Sequence, residues 1–140
     1  MRILSVTAQK ADSTGSGVFL TELVRGFDKA GHQQAVVCGT VHQDVTHLPH
    51  QVAVFPVYYQ SKDVPFAVCG MSDEMPYPST RYCDINERMT QQLFRAFRKA
   101  IVEAVEVFRP DVILCHHLYF LAALVRELYP SIPVYGQCHG

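Results

Sequence analysis

Charge is scarce in this chain of 140 residues: Asp, Glu, Lys and Arg make up only 18%, against roughly 25% in soluble domains. With 49% apolar residues, that scarcity excludes intrinsic disorder and favours elements buried on both faces. Charge of one sign is also missing. Twelve Lys and Arg nearly balance 13 Asp and Glu, for a net charge of −1. A dedicated nucleic-acid binder or polybasic membrane binder is therefore not expected, although a local patch leaves peripheral membrane contact open. The aromatics lack the basic interleaving of a nucleic-acid platform.

Long hydrophobic runs are absent as well. None approaches the roughly 18 residues of a membrane span, and the opening Met1-Arg2-Ile3-Leu4-Ser5-Val6 is too short for a signal peptide. Paired cysteines are missing. Cys38, Cys69, Cys83, Cys115 and Cys138 are odd in number and scattered, with no Cys-x-x-Cys. Reduced thiols in a cytoplasmic protein are the expectation. The length predicts a single domain over 1–140.

What is present alternates between strand and helix patterns. Residues 2–7 read as a buried strand, short, branched and apolar. A loop of small polar residues follows. Gly17 to Ala30 reads as a helix with Leu20, Leu23, Val24 and Phe27 on one face. Ser16 is its expected N-cap, and Gly31 sits where a helix-ending glycine belongs. Gln34–Gly39 and Val52–Val57 are further strands. Tyr58–Cys83 holds three prolines and several aromatics and is expected to be a long, functional loop. Asp84 with Glu87 resembles a capping box opening a long helix, whose row Ile85, Met89, Leu93, Phe97, Ile101, Val105 forms one stripe. That helix stops near Phe108, before Arg109-Pro110. Val112–Cys115 is a fourth strand, Leu118–Tyr129 a third helix and Pro133–Cys138 a fifth strand.

This order predicts an α/β fold: a Rossmann-like, doubly wound parallel sheet with strand order 3-2-1-4-5. Ligands bind such sheets beyond the carboxyl ends of the strands, where the order reverses. That point lies between the first and fourth strands, so residues 8–17, 116–118 and 139–140 face it.

Three constellations bear on chemistry. Asp12-Ser13-Thr14-Gly15-Ser16-Gly17 combines glycines with a helix start, whose unpaired N–H groups attract anions. It is neither a Gly-x-Gly-x-x-Gly fingerprint nor a Walker A loop, and a plain glycine-rich turn is the alternative. Cys115-His116-His117 and Cys138-His139 end neighbouring strands. Zinc is one reading, but no spacing matches a zinc motif. Cys115 and Cys138 read as small buried residues, and polar ligand contact by the histidines is preferred. His42, His47 and His50 read as surface histidines. In the long loop, Arg81 either grips an anion or pairs with Asp73, Glu74 or Asp84. Tyr77 and Tyr82 either stack on a sugar ring or pack on the sheet. No Ser-His-Asp arrangement is readable, and Asp111 serves only to start a strand.

In combination these pieces resemble the N-terminal half of a GT-B-fold glycosyltransferase of the large family 4 retaining group. The carrying segments are Met1–Thr7, Gly15-Ser16-Gly17-Val18-Phe19-Leu20-Thr21-Glu22-Leu23, Lys29-Ala30-Gly31-His32 through Val37, Arg109-Pro110-Asp111-Val112 through His117, and Ile132-Pro133 through Cys138-His139-Gly140. Residues 41–83 match no general motif of the family. The resemblance implies transfer of a sugar from a nucleotide-sugar donor, with retention, to a sugar or lipid-linked acceptor, with no cofactor or metal. It implies that Gly15, Ser16 and Gly17 approach the donor diphosphate and that His139 reaches the reaction centre. Arg81, His116, His117 and Tyr119 would then face the acceptor. The family binds its donor mostly through a second Rossmann-like domain with a pair of glutamates. These 140 residues do not contain it, so the chain is expected to be a fragment, inactive alone, whose partner is that domain. A stand-alone phosphate- or sugar-binding module and a sugar-nucleotide epimerase fragment are the alternatives.

Overall fold

The computed structural model describes residues 1–139. Strand β1 (Arg2–Val6) leads to helix α1 (Gly15–Lys29) and then β2 (Gln33–Thr40) and β3 (Ala53–Tyr58). Two short strands, β4 (Val68–Gly70) and β5 (Ser79–Arg81), precede the long helix α2 (Glu87–Phe108). Strand β6 (Val112–His116), helix α3 (Leu121–Leu128) and β7 (Val134–Gln137) complete the order. The main sheet runs β3-β2-β1-β6-β7, with every neighbouring pair parallel. The fourth and fifth strands read from the sequence are β6 and β7, so the expected order 3-2-1-4-5 holds. No described helix is long and apolar enough to cross a membrane.

Alternation along the central strands sends side chains to two layers. Leu4, Val6, Ala35, Val37, Ile113 and Cys115 meet Leu93, Phe97 and Ile101 of α2 and Leu124 and Val125 of α3. Val36 and Cys38 point the other way, onto Leu20 and Val24 of α1. This is why β2 is buried from Gln34 to Thr40. The low charge content is accounted for by this two-faced burial. Asp111 is structural, as expected: its carboxylate accepts from the Arg2 backbone N–H at 2.7 Å and fixes β1 beside β6.

Several local expectations are corrected. Thr14, not Ser16, caps α1: its hydroxyl accepts from the Gly17 N–H at 3.1 Å, and Ser16 lies inside the first turn. Asn86, not Asp84, caps α2, accepting from the Met89 N–H at 3.0 Å. Asp84 belongs instead to a 3-10 turn at Tyr82–Asp84, where it engages Arg81. The α2 stripe drifts, because a spacing of four overshoots a 3.6-residue turn. Ala100, Ala104 and Phe108 therefore replace Ile85, Met89 and Val105 as its buried members. Helix α3 starts three residues later than expected, after His117 takes a left-handed backbone (φ 73°).

The 58–83 segment is not devoid of regular structure. Strands β4 and β5 pair in parallel, and their length of three residues each is too short to leave a period in the sequence. Tyr59 is fully buried and donates its hydroxyl to the Ala8 carbonyl at 2.9 Å. That bond ties the segment to the loop after β1.

Candidate functional site

The site forms where β1 and β6 part, at the carboxyl edge of the sheet. Thr14 capping leaves α1 with its amino-terminal dipole directed at this edge. Gly17 serves packing: a Cβ there would lie 2.9 Å from the Asp12 nitrogen and 2.9 Å from the Lys10 oxygen. Its N–H is also consumed by the cap. Of the three residues expected to approach a diphosphate, Gly17 is therefore committed to the loop. Gly15 is different, since a Cβ there meets nothing within 4 Å. Ser16 donates its hydroxyl to Gln9 Oε1 at 3.1 Å.

Gln9 was not singled out by sequence reasoning. It is 2% exposed, and its Nε2 has no partner. Its position directly beyond β1, at the switch point, was the available signal.

Across from α1, the ends of β6 and β7 bring three imidazoles together. The His116 and His139 rings stack with centroids 5.8 Å apart, and His117 and His139 lie 4.8 Å apart. Phe19 of α1 meets His139 edge-on at 5.3 Å and His116 at 6.5 Å. The helix start and the His139 imidazole thus share one edge. Burial, with His139 and His117 adding to it, pushes the His116 imidazole down to about 4. His117 is also lowered, by burial and then by His139. His116 is therefore a neutral imidazole at neutral pH.

Seven buried side-chain nitrogens and oxygens among the described residues lack a partner, and five belong to this edge: Gln9 Nε2, both nitrogens of His116, and one each of His117 and His139. Each unmade buried hydrogen bond costs about 1–3 kcal/mol. These unpartnered atoms are concentrated at this one edge, where polar ligand atoms or water can meet them. Backbone strain sits here too, because the left-handed His117 is held by its N–H to the Gln137 carbonyl at 3.0 Å.

The cysteines do not join this group as ligands. Cys115 lies in the core, and burial pushes its thiol up to about 12. Cys138 is exposed rather than buried, because β7 is an edge strand with little cover. Among the described residues no three His, Cys, Asp or Glu side chains are arranged to hold a metal ion.

Arg81 and Tyr119 form a separate cluster. The Arg81 guanidinium donates to both Asp84 oxygens, at 2.7 and 3.2 Å, so the structure holds the ion-pair alternative. Tyr119 stacks on Tyr82 at 5.3 Å, and Tyr82 packs against the core. Tyr77 also packs on the core, and Lys10 Nζ sits 4.5 Å from its ring centre.

A polar cleft of about 320 Å³ opens beside the loop that precedes α1, beyond β1 and β2. Lys10, Asp12, Asp44, His47 and Tyr77 line it. Lys10 pairs with Asp44, and Asp12 accepts from the His47 N–H at 2.9 Å. Sequence reasoning missed this cleft, because residues 41–50 carry no periodic pattern. The loop from Lys10 to Ser13 is thus one wall of the cleft, and the same loop runs on into the start of α1.

No family model matches the chain, and no curated protein matches it. Among solved structures it is similar to the crystal structure of UDP-GlcNAc 2-epimerase from Neisseria meningitidis bound to UDP-GlcNAc. The TM-score is 0.55 at 15% identity, over 97% of this chain. The chain spans 32% of the length of that one. The likeness is one of fold, and this chain's own fold is a Rossmann-like α/β domain with a five-stranded parallel sheet.

Proposed function

We propose that this chain is the acceptor-side half of an enzyme that acts on a nucleotide sugar, and that its reaction is glycosyl transfer with retention. The convergence of the α1 start with His139 carries the reading. As a glycosidic bond to phosphate breaks, negative charge grows on the leaving oxygen. Fixed N–H dipoles placed where that charge develops stabilise the transition state. The Gly15 and Ser16 amides, ahead of the capped Gly17, are the groups for that task. His139 and the neutral His116 and His117 offer ring nitrogens to the sugar and phosphate oxygens. The polar cleft beside Lys10 and Asp12 is then the seat for a hydroxylated acceptor. A second, donor-binding domain supplies the rest of the nucleotide site, and the chain alone turns nothing over. The scattered thiols suit a reducing, cytoplasmic setting.

Calorimetric titration of residues 1–140 tests the reading. UDP-GlcNAc is expected to bind, uridine is not, and Gly15→Val is expected to weaken the nucleotide sugar. Equal binding of both ligands, or no effect of Gly15→Val, removes the phosphate seat. The structural neighbour favours a second reading, epimerisation of a sugar nucleotide. Products from the chain joined to its donor-binding half separate the two. Transfer releases nucleoside diphosphate, whereas epimerisation leaves the sugar attached with one centre inverted.

A further inference from the structure

Among the described residues the buried members of the imidazole triplet, His116 and His117, have no carboxylate beside them. β6 contributes His116, the turn after it His117, and the residues beyond β7 His139. Helix α1 packs on them through the uncharged ring of Phe19. Among the described residues the titratable groups that face His116 are the other two imidazoles, and no carboxylate bears on His116 or His117. Centroids 4.8 and 5.8 Å apart mean that one protonated ring opposes the next. An unliganded triplet therefore rests with its buried members neutral.

An anion at this edge changes the balance. A diphosphate bridge with two negative charges beside an imidazole favours the imidazolium, and mutual repulsion limits the gain to one ring. We propose that a pyrophosphate diester binding here brings one proton with it, taken up by the His116–His117–His139 triplet. This rests on the reading of the α1 start as a phosphate seat, and it adds the ligand's required partner, a proton drawn from solvent. Linkage is reciprocal. Ligand binding that takes up a proton weakens as pH rises, by at most about tenfold per pH unit.

Calorimetry of the 1–140 chain with UDP-GlcNAc, at about pH 6 and pH 8 and in two buffers of different ionisation enthalpy, tests this. The phosphates of that ligand are diesters and do not titrate in this range, so any proton belongs to the protein. We expect buffer-dependent heat worth between a half and one proton at the lower pH, and a dissociation constant at least about twofold weaker at the higher. The triple variant His116→Gln, His117→Gln, His139→Gln should bind with little pH dependence, while His50→Gln, at an exposed histidine outside the triplet, should keep it. Proton NMR of the wild-type imidazole C–H signals provides a check that needs no variant: triplet signals should move toward the protonated position as ligand is added. Equal affinity at both pH values with no buffer-dependent heat overturns the inference and leaves the phosphate seat standing. Full proton uptake in the triple variant, with unmoved triplet signals in the wild type, also overturns it. Absence of binding by the wild type at millimolar ligand removes the phosphate seat together with the inference.

Discussion

The ring of Phe19, one turn into α1, meets the ring of His139 edge-on at 5.3 Å. The two residues are 120 positions apart in sequence, and only the parallel order of β1, β6 and β7 brings them to one edge. Their contact joins an amino-terminal helix dipole to an imidazole cluster, and the functional reading follows from that junction.

Acid should destabilise this fold through His116. Unfolded, its imidazole takes a proton near 6.5, whereas in the fold burial and its neighbours hold it neutral down to about 4. The unfolded chain thus binds more protons between these values, and stability falls as pH drops through that window. The loss is on the order of 3 kcal/mol. Urea denaturation at stepped pH should show it, and His116→Leu should flatten the slope. An unchanged slope in that variant contradicts the assignment.

Cap removal distinguishes Thr14 from Ser16. Thr14→Ala frees the Gly17 N–H and should cost about 1 kcal/mol in chemical denaturation. Ser16→Ala loses hydroxyl contacts to Gln9 Oε1 and Thr14 Oγ1 but leaves the bond from the Gly17 N–H to Thr14 in place, and should cost less. The reverse ranking would return the cap to Ser16.

Gly15 and Gly17 should respond oppositely to alanine. At Gly17 the new Cβ collides with loop backbone at 2.9 Å, and forcing the loop aside costs about 1–3 kcal/mol. At Gly15 the Cβ enters open space, so thermal melting should leave stability unchanged or slightly raised.

Tyr59→Phe removes the hydroxyl that reaches the Ala8 carbonyl. The carbonyl is left without that donor, at a cost of about 1–2 kcal/mol. Hydrogen exchange should then rise in residues 58–83 before it rises in α2. Uniform exchange across both would show that the segment is not held by this bond.

The sheet was legible because its central strands, buried on both faces, carry continuous apolar runs. Ile3, Leu4 and Val6, Ala35 to Val37, and Val112 to Leu114 are apolar runs broken by Gly31 and Pro110, and the order of crossovers leaves few alternatives. Strands β4 and β5 were not legible, because three residues hold no period. The α1 cap was misplaced by two residues since Thr14 and Ser16 have equal capping chemistry, and only the Gly17 N–H direction separates them. The meeting of His116, His117 and His139 at one edge was readable from the ends of their strands. Gln9 was not, since a glutamine after a strand reads as an ordinary loop residue until its burial is known. The Lys10–Asp44 cleft depends on a loop whose path the sequence does not constrain.

Residue-resolved NMR during a UDP-GlcNAc titration tests the account most directly. The Gly15 and Ser16 amides and the His139 ring signals should shift together along one binding curve, while Asp28, His32 and Gln51, which line a hollow at the opposite edge, stay still. Shifts confined to that opposite edge, or separate curves for His139 and the α1 amides, would contradict a shared anion site.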